Sequence, residues 1–269
     1  MLRLALRVRR ADAEVALAEL LELAPGGVEE RDLGETIEYA VYGAPGELPA
    51  LPALRAAAGG ALVEISTSEL ADDWAERWRE FHSPVVVGER LHVRPSWTPA
   101  PGAHVIDVVI DPAQAFGTGA HATTRLCLEL MLDLDPAGSF ADVGCGSGVL
   151  GIAAAKLGWA PVVAVDSDPL SVEATLANAA VNGVEVTAAR ADLRAEPTPG
   201  ASTVAANLLR PLLLAFAERL AVPPPTTLIA GGLLRGEADE VAAAFGRHGL
   251  SESARREAGD WAAVLLRRS

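Results

Sequence analysis

The hydrophobic pattern changes rhythm twice along the chain. Residues 2–10 alternate arginine with apolar side chains, the period-two signature of a strand with one buried face. Residues 12–24 then set Val15, Leu17, Leu20, Leu21 and Leu23 among acids, as in an amphipathic helix capped by Asp12, and Pro25-Gly26-Gly27 ends it. Strands are expected near 28–33 and 36–42, a short helix near 50–58 and a strand near 61–66. That order predicts a small α+β module, ferredoxin-like in outline. A charged helix follows over 69–81, with Trp74, Trp78 and Phe81 sharing one face. The rings either pack this helix onto a neighbouring domain, the commoner use, or form an aromatic patch for a substrate.

Two more strand candidates, 85–93 and 105–110, precede the second change. Beyond residue 120 the short apolar runs 140–143, 162–165, 186–189, 202–206 and 227–230 alternate with helical stretches at 122–134, 149–158, 169–182, 210–221 and 235–248. Such alternation predicts a doubly wound α/β domain, a parallel sheet with helices on both faces. The expected division is residues 1–67 as an N-terminal domain, 68–84 as a linker helix and 85–269 as the main domain.

Composition narrows the classes. A chain of 269 residues, 50% hydrophobic, with a mean hydropathy of +0.25, can fill roughly two domain cores. No run approaches the ~20 apolar residues of a membrane span. The arginine-interrupted start lacks the unbroken apolar stretch of a signal peptide. A cytoplasmic protein away from membranes is expected. Cys127 and Cys145 form no CxxC pair and have no histidine ladder nearby, so neither a disulfide framework nor a metal site is expected. The net charge is −14, the arginines are scattered and Lys156 is the single lysine. Phosphate-gripping proteins usually carry a basic stripe, so direct nucleic-acid specificity is not expected. An acidic body would steer a basic protein partner towards itself, although acidity also simply aids solubility.

The main chemical signal is Phe140-Ala-Asp-Val-Gly-Cys-Gly-Ser-Gly-Val-Leu-Gly, an apolar strand running into a glycine loop that opens a helix. Glycines let a ligand approach the backbone, and a helix N-terminus favours an anionic group such as an amino-acid carboxylate. Gly146-Ser-Gly-Val-Leu-Gly151 also satisfies the dinucleotide pattern GxGxxG. However, the loop begins earlier, at Gly144, as GxGxG. Asp142, two positions before it, would repel a pyrophosphate yet suit an amino group. The frame therefore favours a nucleoside bearing an amino-acid moiety, held around Asp142, Gly144 and Gly146. Asp166 ends the next strand, 22 positions after Gly144, where a carboxylate can accept hydrogen bonds from ribose hydroxyls. Asp168, before Pro169, reads as a helix cap. Asp192, after the third strand, either meets an adenine amino group or is a solvated loop acid. Asn207, in Ala206-Asn-Leu-Leu-Arg-Pro, either accepts from an incoming amine or caps a turn. In Asp111-Pro-Ala-Gln-Ala-Phe-Gly-Thr-Gly-Ala-His121, Phe116 could shield a cofactor from water. His121 reads more readily as structural than as a base.

Taken together, Ala115-Phe-Gly-Thr-Gly-Ala-His-Ala-Thr-Thr124, Asp142-Val-Gly-Cys-Gly-Ser-Gly-Val-Leu, Asp166-Ser-Asp-Pro and Ala206-Asn-Leu-Leu resemble the bacterial ribosomal protein L-eleven methyltransferases (PrmA). Trp74, Trp78, Phe81 and Arg94-Pro-Ser-Trp97 are similar to that family too. The resemblance implies a class I S-adenosylmethionine-dependent methyltransferase, Rossmann-like, with a seven-stranded sheet containing one antiparallel strand, behind a small substrate-recognition domain. It implies S-adenosyl-L-methionine as cofactor and a basic ribosomal protein as partner, free or on the ribosome, methylated at lysine side chains and the N-terminal amine. Thr123, Gly144, Asp166 and Asn207 match the family's cofactor contacts, and Phe116 its covering loop. The N-terminal ~65 residues match only in element order, and Gly231-Gly232 replaces an expected Ser-Gly type of pair. Other protein lysines, a small molecule or an RNA, and a non-enzymatic cofactor-binding role remain as alternatives.

Overall fold

The computed structural model describes residues 2–13, 16–17, 20, 28–43, 59–69, 83–102, 104–111 and 121–268. The chain divides into two compact units, 1–81 and 82–269.

In the first unit the alternating start forms β1 (Leu2–Arg9). It is joined by β2 (Glu29–Asp32), β3 (Thr36–Gly43) and β4 (Leu62–Glu69) in an antiparallel sheet of order β2-β3-β1-β4. Leu4, Leu6, Val8, Ile37 and Tyr39 bury one face, together with the helical residues Ala13, Ala16 and Leu20. On the other face Glu38 is paired with Arg3 at 2.5 Å and Arg7 at 3.3 Å. Those two guanidiniums, Arg3 foremost, hold its carboxyl below the ordinary range despite burial. Asp12 ends the 3-10 turn Arg10–Asp12, directly before helical Ala13, and pairs with Arg9 at 3.1 Å; the backbone groups that it would cap lie outside the described residues. The four strands come in the expected sequence order. The expected helix at 50–58, and Trp74, Trp78 and Phe81 with most of the expected linker helix, lie outside the described residues. β4 reaches Glu69, so the strand takes the first two positions assigned to that linker.

The second unit opens with β5 (Val85–Val87), β6 (Leu91–Arg94) and β7 (Ile106–Val109). The single strand expected over 85–93 is a hairpin, because Gly88 and Glu89 both adopt φ +56° and reverse the chain. Next come α1 (Ala122–Leu132), β8 (Phe140–Val143), α2 (Val149–Leu157), β9 (Val162–Asp166), α3 (Pro169–Asn182), β10 (Thr187–Arg190), β11 (Thr203–Asn207), α4 (Arg210–Glu218), β12 (Thr227–Leu234), α5 (Ala238–Gly246), β13 (Leu250–Ala258) and β14 (Trp261–Arg268). Seven strands form one sheet, β10-β9-β8-β11-β12-β14-β13, in which β14 alone runs against its neighbours.

Strand residues alternate between the two faces. Phe140, Ala205, Ile229, Ala263 and Leu265 enter the core shared with α1 and α2, while Ala141, Val143, Val204, Ala206, Leu228 and Val264 enter the core beneath α4 and α5. Both faces are therefore apolar, as a covered parallel sheet requires. The chain winds from β8 through β9 to β10, then returns to the other side of β8 with β11. The winding thus reverses between β8 and β11, and the connections that leave their carboxyl ends run to α2 on one face and α4 on the other, the place where open sheets of this kind form a crevice.

Phe245 on α5 is fully buried and meets Phe216 on α4 edge-on, with ring centres 5.5 Å apart. Phe245→Ala should cost about 3–5 kcal/mol of stability, measured by urea unfolding of the full chain. A loss under about 1 kcal/mol would mean that this face repacks freely.

Candidate functional site

Parallel register collects the predicted residues at one edge of the sheet. Val143 pairs with Val165 on one side and Ala206 on the other, so Gly144 emerges level with Asp166 and Asn207, while Asn207 pairs with Gly231. Residues up to 87 positions apart thus share one row, which only a parallel sheet with every strand ending at the same edge achieves.

The loop after β8 is left-handed at Gly144 (φ +75°), Gly146 (+51°) and Gly148 (+81°). At Gly144 a Cβ would also collide with the Leu208 side chain beyond β11, so bare backbone is required twice over. The Gly144 and Cys145 N–H groups both donate to the Val165 carbonyl, at 2.8 and 3.0 Å. Asp166 holds the loop from the side: Oδ2 accepts from Gly146 N–H at 2.9 Å and Oδ1 from Asp168 N–H at 3.0 Å. Its carboxylate stays half-buried at the rim, with lone pairs left for further donors. Asp168 caps α3, accepting from Leu170 N–H at 2.9 Å. On α3, Thr175 donates to the Gly146 carbonyl at 3.1 Å, and Asn178 donates to the Ser147 carbonyl at 2.9 Å while accepting from Asp111 N–H at 3.1 Å. Neither residue carries a motif. Their only hint in the sequence is a polar side chain on the inner face of an otherwise amphipathic helix.

Asp142 sits differently from the expectation of direct contact with an amino group. It is 1% exposed beneath the loop, and its Oδ2 accepts from Gly151 N–H at 2.8 Å, bracing the first turn of α2. Gly151 has no Cβ because one would stand 3.3 Å from that oxygen. Burial pushes the Asp142 carboxyl up to about 7, the Gly151 N–H opposing and the nearby Asp166 charge reinforcing it.

At the end of β11, Asn207 donates from Nδ2 to Thr124 Oγ1 at 3.1 Å, and its Oδ1 is buried with no partner among the described residues. Beside it Gly232 (φ +79°) lies so close to the Leu208 backbone that a Cβ would be 2.7 Å from the Leu208 carbonyl carbon. The β12–β14 register shifts here, between Ala230 and Leu233, which lets the strand continue past the two glycines. On α1 His121 is the N-cap, its Nδ1 within 2.8 Å of Thr123 Oγ1 and its ring edge-to-face with Trp261, ring centres 5.0 Å apart. Desolvation lowers the His121 pKa. Asp192, two residues past β10, closes a turn by accepting from Arg194 N–H at 2.9 Å. Phe116 lies outside the described residues. The site thus brings together Gly144, Gly146, Asp166 and Asn207, with Thr123 one residue from the Asn207 contact, and leaves Asp142 underneath.

A cradle of bare backbone beside a rim carboxylate and a buried amide oxygen without a donor among the described residues fits a nucleoside with an amino-acid tail. The family model described as ribosomal protein L11 methyltransferase (PrmA) matches residues 52–269. A ribosomal protein L11 methyltransferase of Pelotomaculum thermopropionicum is 41% identical over 216 residues, 77% of this chain and 70% of that protein. One from Gloeobacter violaceus is 42% identical over 199 residues, 72% of this chain and 63% of that protein. Among solved structures, the ribosomal protein L11 methylase of Lactobacillus delbrueckii subsp. bulgaricus aligns with a TM-score of 0.62 at 26% identity, over 69% of this chain and 99% of that one.

The raised Asp142 carboxyl has a consequence for stability. Between about pH 4 and 7 the folded protein keeps a proton there that the unfolded chain has released, so this group lowers stability as the pH rises through that window. The displacement from 3.8 to about 7 corresponds to about 4 kcal/mol at full development. Asp142→Asn keeps an oxygen for Gly151 N–H and removes the titration. Urea unfolding at pH 5, 6, 7 and 8 should show the variant gaining on the unsubstituted protein up to about pH 7 and level thereafter; parallel pH profiles would refute the buried-acid assignment.

Proposed function

The chain belongs to the ribosomal protein L11 methyltransferase (PrmA) family and uses S-adenosylmethionine as its cofactor, and on that premise we propose that it methylates lysine side chains and the N-terminal amine of ribosomal protein L11. The observation that carries the choice of an amine is the unpartnered, buried Oδ1 of Asn207 in the crevice between β8 and β11. A buried acceptor without a donor costs about 1–3 kcal/mol, and an incoming N–H relieves that cost.

Gly144 and Gly146 would receive the cofactor's amino-acid part against bare backbone, Asp166 its ribose, and Thr123 and Asp192 the flanks. The Asp166 carboxylate at the rim favours a cationic ligand. Bound there, the cofactor supplies an activated methyl group on a sulfonium.

The remaining work is the protein's. A lysine amine begins near pKa 10.4 and attacks only when neutral. Entry into the crevice strips water from it, and desolvation disfavours the ammonium form. The Asn207 carbonyl accepts one N–H of the neutral amine and so fixes where its lone pair points. Positioning of this kind can supply roughly 7–11 kcal/mol, which makes a dedicated general base unnecessary. The part of the chain outside the family match is residues 1–51, within the four-stranded unit that we assign to substrate recognition.

Calorimetry should show that the protein binds S-adenosylmethionine and ignores NAD. Labelled methyl transfer should reach ribosomal protein L11, free or in large subunits; transfer to a different protein or a small molecule alone would replace the substrate while leaving the reaction. Asp166→Ala should weaken cofactor binding by about 1–3 kcal/mol, since it also frees the Gly146 N–H. Unchanged affinity in a folded variant removes the ribose assignment. Asn207→Ala should lower kcat by about 10- to 100-fold with little change in cofactor affinity, and equal losses in both would make Asn207 a cofactor ligand only.

A further inference from the structure

Asn207 is tied at its nitrogen and, among the described residues, has no partner at its buried oxygen, and both conditions involve residues not yet given a role: Thr124, which ends the Ala115–Thr124 motif, and Gly231. A side-chain amide has two end-for-end orientations of almost the same shape, one presenting an acceptor and the other a donor. Only the first can receive an amine N–H. Thr124 lies on the first turn of α1, 1% exposed, with its Oγ1 3.1 Å from Asn207 Nδ2. A threonine hydroxyl carries two acceptor lone pairs, and here it accepts from the amide nitrogen. The nitrogen end is thereby turned inward.

The oxygen end depends on the neighbouring strand. Gly231 pairs with Asn207 in the β11–β12 register. A Cβ at Gly231 would stand 3.1 Å from Asn207 Oδ1 and would overlap the Cys127 sulfur. Cys127 follows Thr124 by three positions, so one face of α1 supplies both contacts. We propose that Thr124 and Gly231 are positioning residues for Asn207: Thr124 fixes which end of the amide faces the crevice, and Gly231 keeps the space at its oxygen clear for the incoming amine. This rests on the reading of Asn207 as the amine acceptor.

The test compares Asn207→Ala, Thr124→Val, Thr124→Ala, Thr124→Ser and Gly231→Ala by single-turnover and steady-state methyl transfer in the full chain, with calorimetric affinity for S-adenosylmethionine. Thr124→Val and Thr124→Ala should lower kcat about tenfold or more and raise the amine KM, while cofactor affinity stays within about twofold. Thr124→Ser, which restores the hydroxyl, should recover most of kcat. A merely structural threonine would instead give losses that follow melting temperature and ignore the hydroxyl. Gly231→Ala is also made together with Cys127→Ala, which removes the overlap with sulfur and leaves only the approach to Oδ1. That pair should stay slow, and full recovery of kcat would reduce Gly231 to a packing glycine. If Asn207→Ala loses turnover while Thr124→Val and Thr124→Ala keep it, the positioning role is wrong and the amine reading stands. If Asn207→Ala itself retains full turnover, the amine reading falls first.

Discussion

The chain leaving β11 at Leu208 passes so close to Gly144 and Gly232 that neither position has room for a Cβ, and the rest of the site is arranged around that approach. Leu208 is the residue in the gap. Its side chain occupies the space where a Cβ of Gly144 would be, and its backbone occupies the space where a Cβ of Gly232 would be. Its N–H donates to the Gly231 carbonyl at 3.1 Å. Two neighbouring strands therefore clamp one leucine, and the residue before it, Asn207, inherits a fixed position at the crevice. Winding of the sheet creates the crevice; the three glycines let the chain close it to ligand dimensions.

Carboxylates then divide the work by depth. Asp142, sealed under the loop, spends its oxygen on the α2 backbone and carries a raised pKa as the cost of burial. Asp166, at the rim, binds the loop through Gly146 and the next turn through Asp168 N–H while remaining open to solvent. Asp168 serves α3 alone. The acidic character of the pocket follows from the loop's own need for acceptors: three successive segments end in N–H groups that the sheet does not satisfy. A ligand with cationic centres takes advantage of charge that the fold already requires.

How much of this was legible follows from which signals are local. Strand β8, helix α3 and the Asp168 cap lie where short apolar runs, Pro169 and Gly183 place them, because each is decided by neighbours in sequence. Strand β13 gave no such signal: Glu252, Ser253, Arg255 and Arg256 make it polar on the sheet's edge, and it exists because β14 offers a partner. β12 reads as ending at Ala230, since two glycines usually close a strand; a bulge carries it on to Leu234. In the site, Gly144, Asp166 and Asn207 were visible as strand-end residues. Thr175 and Asn178 were not, and Thr124 and Leu208 stood in quoted motifs without a role, because what these four do depends on contacts 23 to 83 positions away. Asp142 was seen but misplaced in depth: adjacency to a glycine loop does not say which side of the loop a side chain takes.

The departure at Gly231 shows how tightly these long-range contacts are coupled. A serine there, the type of residue that the Ser-Gly expectation supplies, would bring a Cβ to 3.1 Å from Asn207 Oδ1 and a hydroxyl able to donate to it. Glycine removes both, so the Asn207 oxygen faces the crevice without an internal donor. Such an acceptor is unfavourable in the resting protein and favourable once an N–H arrives, which is the difference a binding step can use. The same absence makes room for Cys127, whose buried thiol is pushed far above its ordinary value and behaves as packing rather than as a nucleophile. One missing side chain therefore sets the open oxygen of Asn207 and the packing of α1 against β12, so neither can be altered without disturbing the other.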